Sequence, residues 1–139
     1  MADINFLAVL LAGVAHVALG VFWYHPKVFG GAWMQLSGMS PEGVERGKKN
    51  MFLKTVIAFA AALAMAYMLS VVLLISGQIG ADITFDTFSW AFLLWAGFIF
   101  PVMLGVVLWE AKSTVLLAIN AGYWLCAVVL MSGIIVLVR

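Results

Sequence analysis

The chain has 139 residues, 66% of them hydrophobic and 9% charged, with a mean hydropathy of +1.17 and a formal net charge of +1. A soluble domain carries about 25% charged residues, so this composition excludes water as the main solvent, and the charge balance leaves no basic field for nucleic acid. The single cysteine, Cys126, excludes an intrachain disulfide.

Four apolar runs succeed one another, at about 4–24, 52–76, 88–109 and 115–138. Each reaches the roughly 20 residues that cross a hydrocarbon core, and lipid offers the backbone no hydrogen bonds, so each is predicted to be a transmembrane helix. The fold class expected is all-α: one transmembrane domain over 1–139, a four-helix bundle. The start, Met1-Ala2-Asp3-Ile4-Asn5, has no Lys or Arg and so lacks the basic region of a signal peptide, which keeps the first run as a helix.

The first helix sets Ala8, Ala12, His16 and Gly20 four residues apart, on one face. His16 is the ionisable group deepest in a span, roughly 12 Å from the helix end at 1.5 Å per residue, and such a group is a functional candidate by default. The helix runs into FWYHPKVFGGAWM, residues 22–34, which crowds five aromatic rings, a histidine, a proline and two glycines into thirteen positions. Trp23, Tyr24, Trp33 and, at the end of the third helix, Trp109 read as an interfacial belt, because indole and phenol favour the headgroup level. Pro26 ends the first helix; Phe29, Ala32, Trp33 and Leu36 predict a short interfacial helix within an interfacial segment of about 26–50, stopped by Gly38. Ser40-Pro41-Glu42 reads as N-cap, N1 and first-turn acid of an extension of the second helix.

The second helix carries Ala58, Ala62, Ala66 and Ser70 at steps of four; the third carries Gly97, Pro101 and Gly105; the fourth carries Ala118, Gly122 and Cys126. Small residues on one face let helices approach closely, so Ala12, Gly20, Ala62, Ala66, Gly97, Pro101, Gly105, Ala118 and Gly122 form the expected packing seam. Pro101 should free the Gly97 carbonyl and kink the third helix. An offset of 85 residues superimposes Ala12 on Gly97 and Gly20 on Gly105; an offset of 56 superimposes Tyr67 on Tyr123, Ala62 on Ala118 and Ala66 on Gly122. These matches predict two parallel helical-hairpin repeats related by an axis along the membrane normal.

The runs GVFWYHPKVFGGAWMQLSG, LLWAGFIFPVMLG and INAGYWL resemble a bacterial family of small membrane proteins catalogued as domain of unknown function 1761. The resemblance covers nearly the whole chain. It implies four helices and the bacterial cytoplasmic membrane, and it implies no substrate.

Orientation is set by the basic residues. Lys27, Arg46, Lys48, Lys49 and Lys54 lie between the first two helices and Lys112 between the last two, leaving Arg139 alone on the other side. Loops rich in Lys and Arg stay in the cytoplasm, so both termini are expected outside, with the acidic loop around Asp82 and Asp86. The residues present no metal set, no cofactor motif and no catalytic constellation, and no enzyme is expected. The expected role is a non-enzymatic component that assembles with itself or with a larger membrane complex. The alternative is a small homo-oligomeric transporter or channel using His16, Asn120 and Glu110 as an intramembrane polar set.

Overall fold

The computed structural model describes residues 3–77 and 85–138. Over these residues the protein is all-helical: α1 (Phe6–Trp23), a π-type turn (Pro26–Gly30), α2 (Gly31–Ser37), α3 (Pro41–Lys48), α4 (Met51–Ile75), α5 (Phe85–Leu94), a second π-type turn (Trp95–Ile99), α6 (Phe100–Trp109) and α7 (Thr114–Leu137). Four spans are long and apolar enough to cross a membrane: α1, α4, the continuous stretch Phe85–Trp109 and α7.

The helix ends obey local chemistry. The Asn5 side chain accepts from the N–H groups of Leu7 and Ala8 and caps α1, and Ser113 caps α7 by accepting from Val115. Gly38, at φ 71°, ends α2 in the left-handed region, as the sequence predicts. Ser40 caps α3 through Gly43, but α3 does not extend the second span. It ends at Lys48, Asn50 takes φ 59°, and α4 starts afresh at Met51. The third span begins at Phe85, three residues earlier than hydropathy places it, and the part of the acidic loop around Asp82 lies outside the described residues. Pro101 produces a widened turn in place of a simple kink, with the Phe100 N–H reaching back five residues to the Trp95 carbonyl.

Helix α7 is the centre of the bundle. It packs against α1, α4 and the third span, while α1 packs mainly on α4 and α7. The core it organises includes Val9 and Ala12 of α1, Ala66, Leu69 and Leu73 of α4, Ala91 of α5, and Val128, Met131 and Ile135 of α7. Small residues at Ala12 and Ala66, both wholly buried, let α1 and α4 close on each other.

The third span is attached differently. Over the most apolar 18 residues of each span, only 6% of the third is buried, against 28% of α1 and α4 and 39% of α7. Positions matched by the expected repeat therefore sit in unlike surroundings. Ala12 is buried and Gly97 exposed, Ala62 is buried and Ala118 exposed, and Tyr123 is 7% exposed where Tyr67 is 42% exposed. Within one chain the expected seam is covered at Ala12, Ala62 and Ala66 and uncovered at Gly97 and Ala118. A side chain built at Gly97 or Gly105 would meet no neighbouring atom within 4 Å, and Pro101 is also exposed, so the stripe of the third span faces out of the bundle.

Candidate functional site

A set of polar groups gathers where α1 meets α7, and Tyr123 is its hub. Its hydroxyl lies 3.1 Å from Nε2 of His16 and 3.3 Å from the His16 backbone carbonyl. Gly20, one turn beyond His16, makes room: a Cβ there would sit 3.1 Å from the Tyr123 hydroxyl. Around the pair the rings of Tyr123, Trp124, Trp23 and Tyr24 form one aromatic cluster. The His16 imidazole centroid is 5.3 Å from a Trp124 ring and 5.5 Å from Tyr123, and Tyr24 and Trp23 stand 5.2 and 6.3 Å from Tyr123.

This explains the aromatic crowding after α1. Trp23 and Tyr24 turn inward: the Trp23 indole donates to the Ile119 carbonyl at 3.1 Å, and the Tyr24 hydroxyl donates to the Asn120 side-chain oxygen at 3.0 Å. Burial, then the nearby Tyr123, pushes the Tyr24 phenol up to about 12, so it keeps the proton it donates. The chain folds back behind these rings because His25 accepts from Lys27 and starts the π-type turn after Pro26. Gly30 closes the turn, its N–H bonding the His25 carbonyl, and any Cβ there would run into the carbonyl of Tyr24. Phe29 then packs at a tilt on Trp23, and Trp33 packs edge-on to Tyr24.

The three residues of the expected polar set are not brought together. Asn120 is taken by Tyr24, because it lies one helical turn nearer the start of α7 than Trp124 and comes level with the end of α1. Glu110 caps the end of α6 and is exposed, and Lys112 donates to the Ser37 carbonyl at 3.4 Å. Of the residues expected as an interfacial belt, Trp109 projects outward at 91% exposure, Trp33 is half-buried, and Trp23 and Tyr24 bond α7.

Tyr123 and Trp124 were legible only as parts of a repeat and a family pattern. A usable signal was present all the same. Tyr123 lies ten residues into a span, too deep for a headgroup contact, and a buried phenol there needs a partner. Trp95 gives the same signal in the third span, where its indole donates to the Ala121 carbonyl at 2.9 Å.

His16 is 8% exposed, and its Nδ1 is closed to solvent and has no hydrogen-bond partner among the described residues. Its ring lines a cavity of about 270 Å³ together with Ala58, Ala61, Ala62, Met65, Tyr123 and Trp124. No group of three His, Cys, Asp or Glu side chains able to hold a metal ion occurs among the described residues.

The inward-turned aromatic segment and the Gly-Tyr-Trp step on α7 coincide with the runs that carry the family resemblance. A family model described as Protein of unknown function (DUF1761) matches residues 7–136, which take in all four spans except Phe6 and Leu137. The chain belongs to the DUF1761 family. No curated protein and no solved structure matches it. The match takes in the whole of the His16–Tyr123 site of this DUF1761 protein, together with the Pro26–Gly30 turn that backs it.

Proposed function

We propose that this DUF1761 protein is a non-enzymatic component of a bacterial cytoplasmic membrane that works by assembling with a second copy of itself. The third span carries this reading. It is the least buried of the four, and Gly97 and Gly105 leave its outer face low enough for another helix to approach closely. The separation of His16, Asn120 and Glu110 favours assembly over a transport pathway, which needs polar groups in succession.

Single-molecule photobleaching in liposomes tests the proposal. The wild type is expected to give two-step traces, and the double variant Gly97→Leu, Gly105→Leu mostly single steps at the same protein-to-lipid ratio. A wild type that stays monomeric as that ratio is raised would overturn the reading, and a stoichiometric complex with an unrelated protein would replace it with the accessory role.

The proposal includes both termini outside, on the strength of six basic residues out of seven in the two opposite loops. With Cys126 replaced by Ser, an impermeant maleimide should label a cysteine placed at Asp3 and spare one at Lys48. Labelling at Lys48 alone would reverse the topology.

A further inference from the structure

We propose that the cleft between the end of α6 and the start of α7 holds an anionic phospholipid, its phosphate at Lys112 and the top of one acyl chain between the two helices. The cleft is walled by Met103, Val106, Val107, Leu116 and Leu117, with Lys112 and Asn120 as its polar lining. Its place sets the guest. Lys112 stands in the loop between the third and fourth spans, at the level where they leave the membrane, whereas Met103 lies six residues before Trp109 and Asn120 six after Thr114, roughly 9 Å along each helix. A cation at the boundary with an apolar slot leading inward from it is the polarity profile of a phospholipid. The slot measures about 110 Å³, under the roughly 300–1,000 Å³ of a self-contained small-molecule site, so most of its guest lies in the bilayer alongside it. A free phosphate would leave the apolar walls uncovered.

Charge complementarity selects an anionic lipid. Lys112 is partly exposed and has no carboxylate within ion-pair distance among the described residues, where the one salt bridge is Lys48 with Glu45. Its ammonium gives one hydrogen bond, a long one of 3.4 Å to the Ser37 carbonyl, and a lysine has three donors, so the others are left for phosphate oxygens. Deeper in, the Asn120 side-chain oxygen accepts from Tyr24, which leaves the amide N–H groups as donors for the ester carbonyls that a phospholipid carries below its phosphate. The surrounding face has the same sign. On that side of the membrane Lys27, Arg46, Lys48, Lys49, Lys54 and Lys112 stand against Glu42, Glu45 and Glu110, and a basic cluster beside a span attracts anionic headgroups. None of the cleft residues is Gly97 or Gly105, so the lipid site and self-assembly stand or fall separately.

Native mass spectrometry of the protein in nanodiscs made from equal parts of phosphatidylcholine and phosphatidylglycerol tests the site. The wild type should retain phosphatidylglycerol in preference to phosphatidylcholine; equal retention of the two would overturn the proposal. Lys112→Gln should lower the retention of phosphatidylglycerol about fivefold, the worth of one basic residue at an anionic membrane, and Lys112→Arg should keep it. Val106→Phe, which fills the cleft from a lipid-exposed position and leaves every charge in place, should lower it as well. Lys49→Gln, at an exposed cation outside the cleft, should change nothing. Equal losses for Lys49→Gln and Lys112→Gln would overturn the site, because a diffuse surface charge would then do the attracting. Retention that survives Val106→Phe, or that excess inorganic phosphate abolishes, would overturn it too, because the apolar cleft would then hold no chain.

Discussion

The first and third spans end in the same way in sequence and in opposite ways in space. At an offset of 85 residues Phe22-Trp23-Tyr24 corresponds to Val107-Leu108-Trp109. Yet Trp23 and Tyr24 fold inward to bond α7, while Trp109 stands 91% exposed. The backbone just beyond each end makes the difference. Pro26 and Gly30 turn the first chain back under its own rings, whereas Glu110, Ala111 and Lys112 pass directly into α7. An aromatic ring at a membrane boundary is thus a belt residue or a bundle anchor according to the backbone beside it.

The strongest way to break the contrast is Gly30→Ala. Its methyl has no space beside the Tyr24 carbonyl, so about 3 kcal/mol of stability should be lost, the upper end for overpacking, and Trp23 and Tyr24 should become as exposed as Trp109. Steric-trap unfolding measures the first and iodide quenching the second; a loss under about 0.5 kcal/mol, the usual range for surface changes, would mean the turn does not hold the rings.

The seam positions give the next largest effect. Ala12→Leu forces a larger side chain into a wholly buried site and should cost about 2 kcal/mol, whereas Gly97→Leu should leave monomer stability within about 0.5 kcal/mol. Equal losses at the two positions would restore the equivalence that their sequence match suggests.

The tyrosines sharpen the comparison further. Tyr123→Phe removes the hydroxyl that holds His16 and should cost about 0.6 to 2 kcal/mol, the range for polar contacts between membrane helices. Tyr67→Phe, at its half-exposed counterpart, should cost less than about 0.5 kcal/mol. His16→Leu should match Tyr123→Phe, and His16→Gln should retain most of the stability; a Gln variant as weak as Leu would deny His16 its role as interhelical link.

The smallest effect is expected at the paired glycines. Gly105→Ala should stabilise by about 0.5 kcal/mol, because the helix loses a conformationally costly residue and the new methyl meets nothing. Gly20→Ala should gain less, since its methyl presses on the Tyr123 hydroxyl. A larger gain at Gly20 than at Gly105 would show that the α1–α7 approach is looser than it stands.

His16 was legible as a site from its depth alone, since an ionisable group in a span is rare whatever surrounds it. Its partner was not. Asn120 and Tyr123 both lie on the helix that packs against α1, and only the relative height and rotation of the two helices gives Asn120 to Tyr24 and Tyr123 to His16. The repeat failed as a guide to burial for a related reason: a stripe of small residues records that a helix face is smooth, not which helix covers it.

The sequence by itself determined the four spans, the cap at Ser40 and the stop at Gly38, because each depends on hydrogen bonds or transfer energies within a few residues of chain. Only the tertiary structure decided that α7 is central, that the third span turns its small residues outward, and that Tyr123 closes on His16 over a cavity walled by Ala58 and Ala61. In lipid every helix face is nearly as apolar as the solvent, so hydropathy carries little information about which face packs inward. That choice falls to close packing and a few hydrogen bonds between residues about a hundred positions apart.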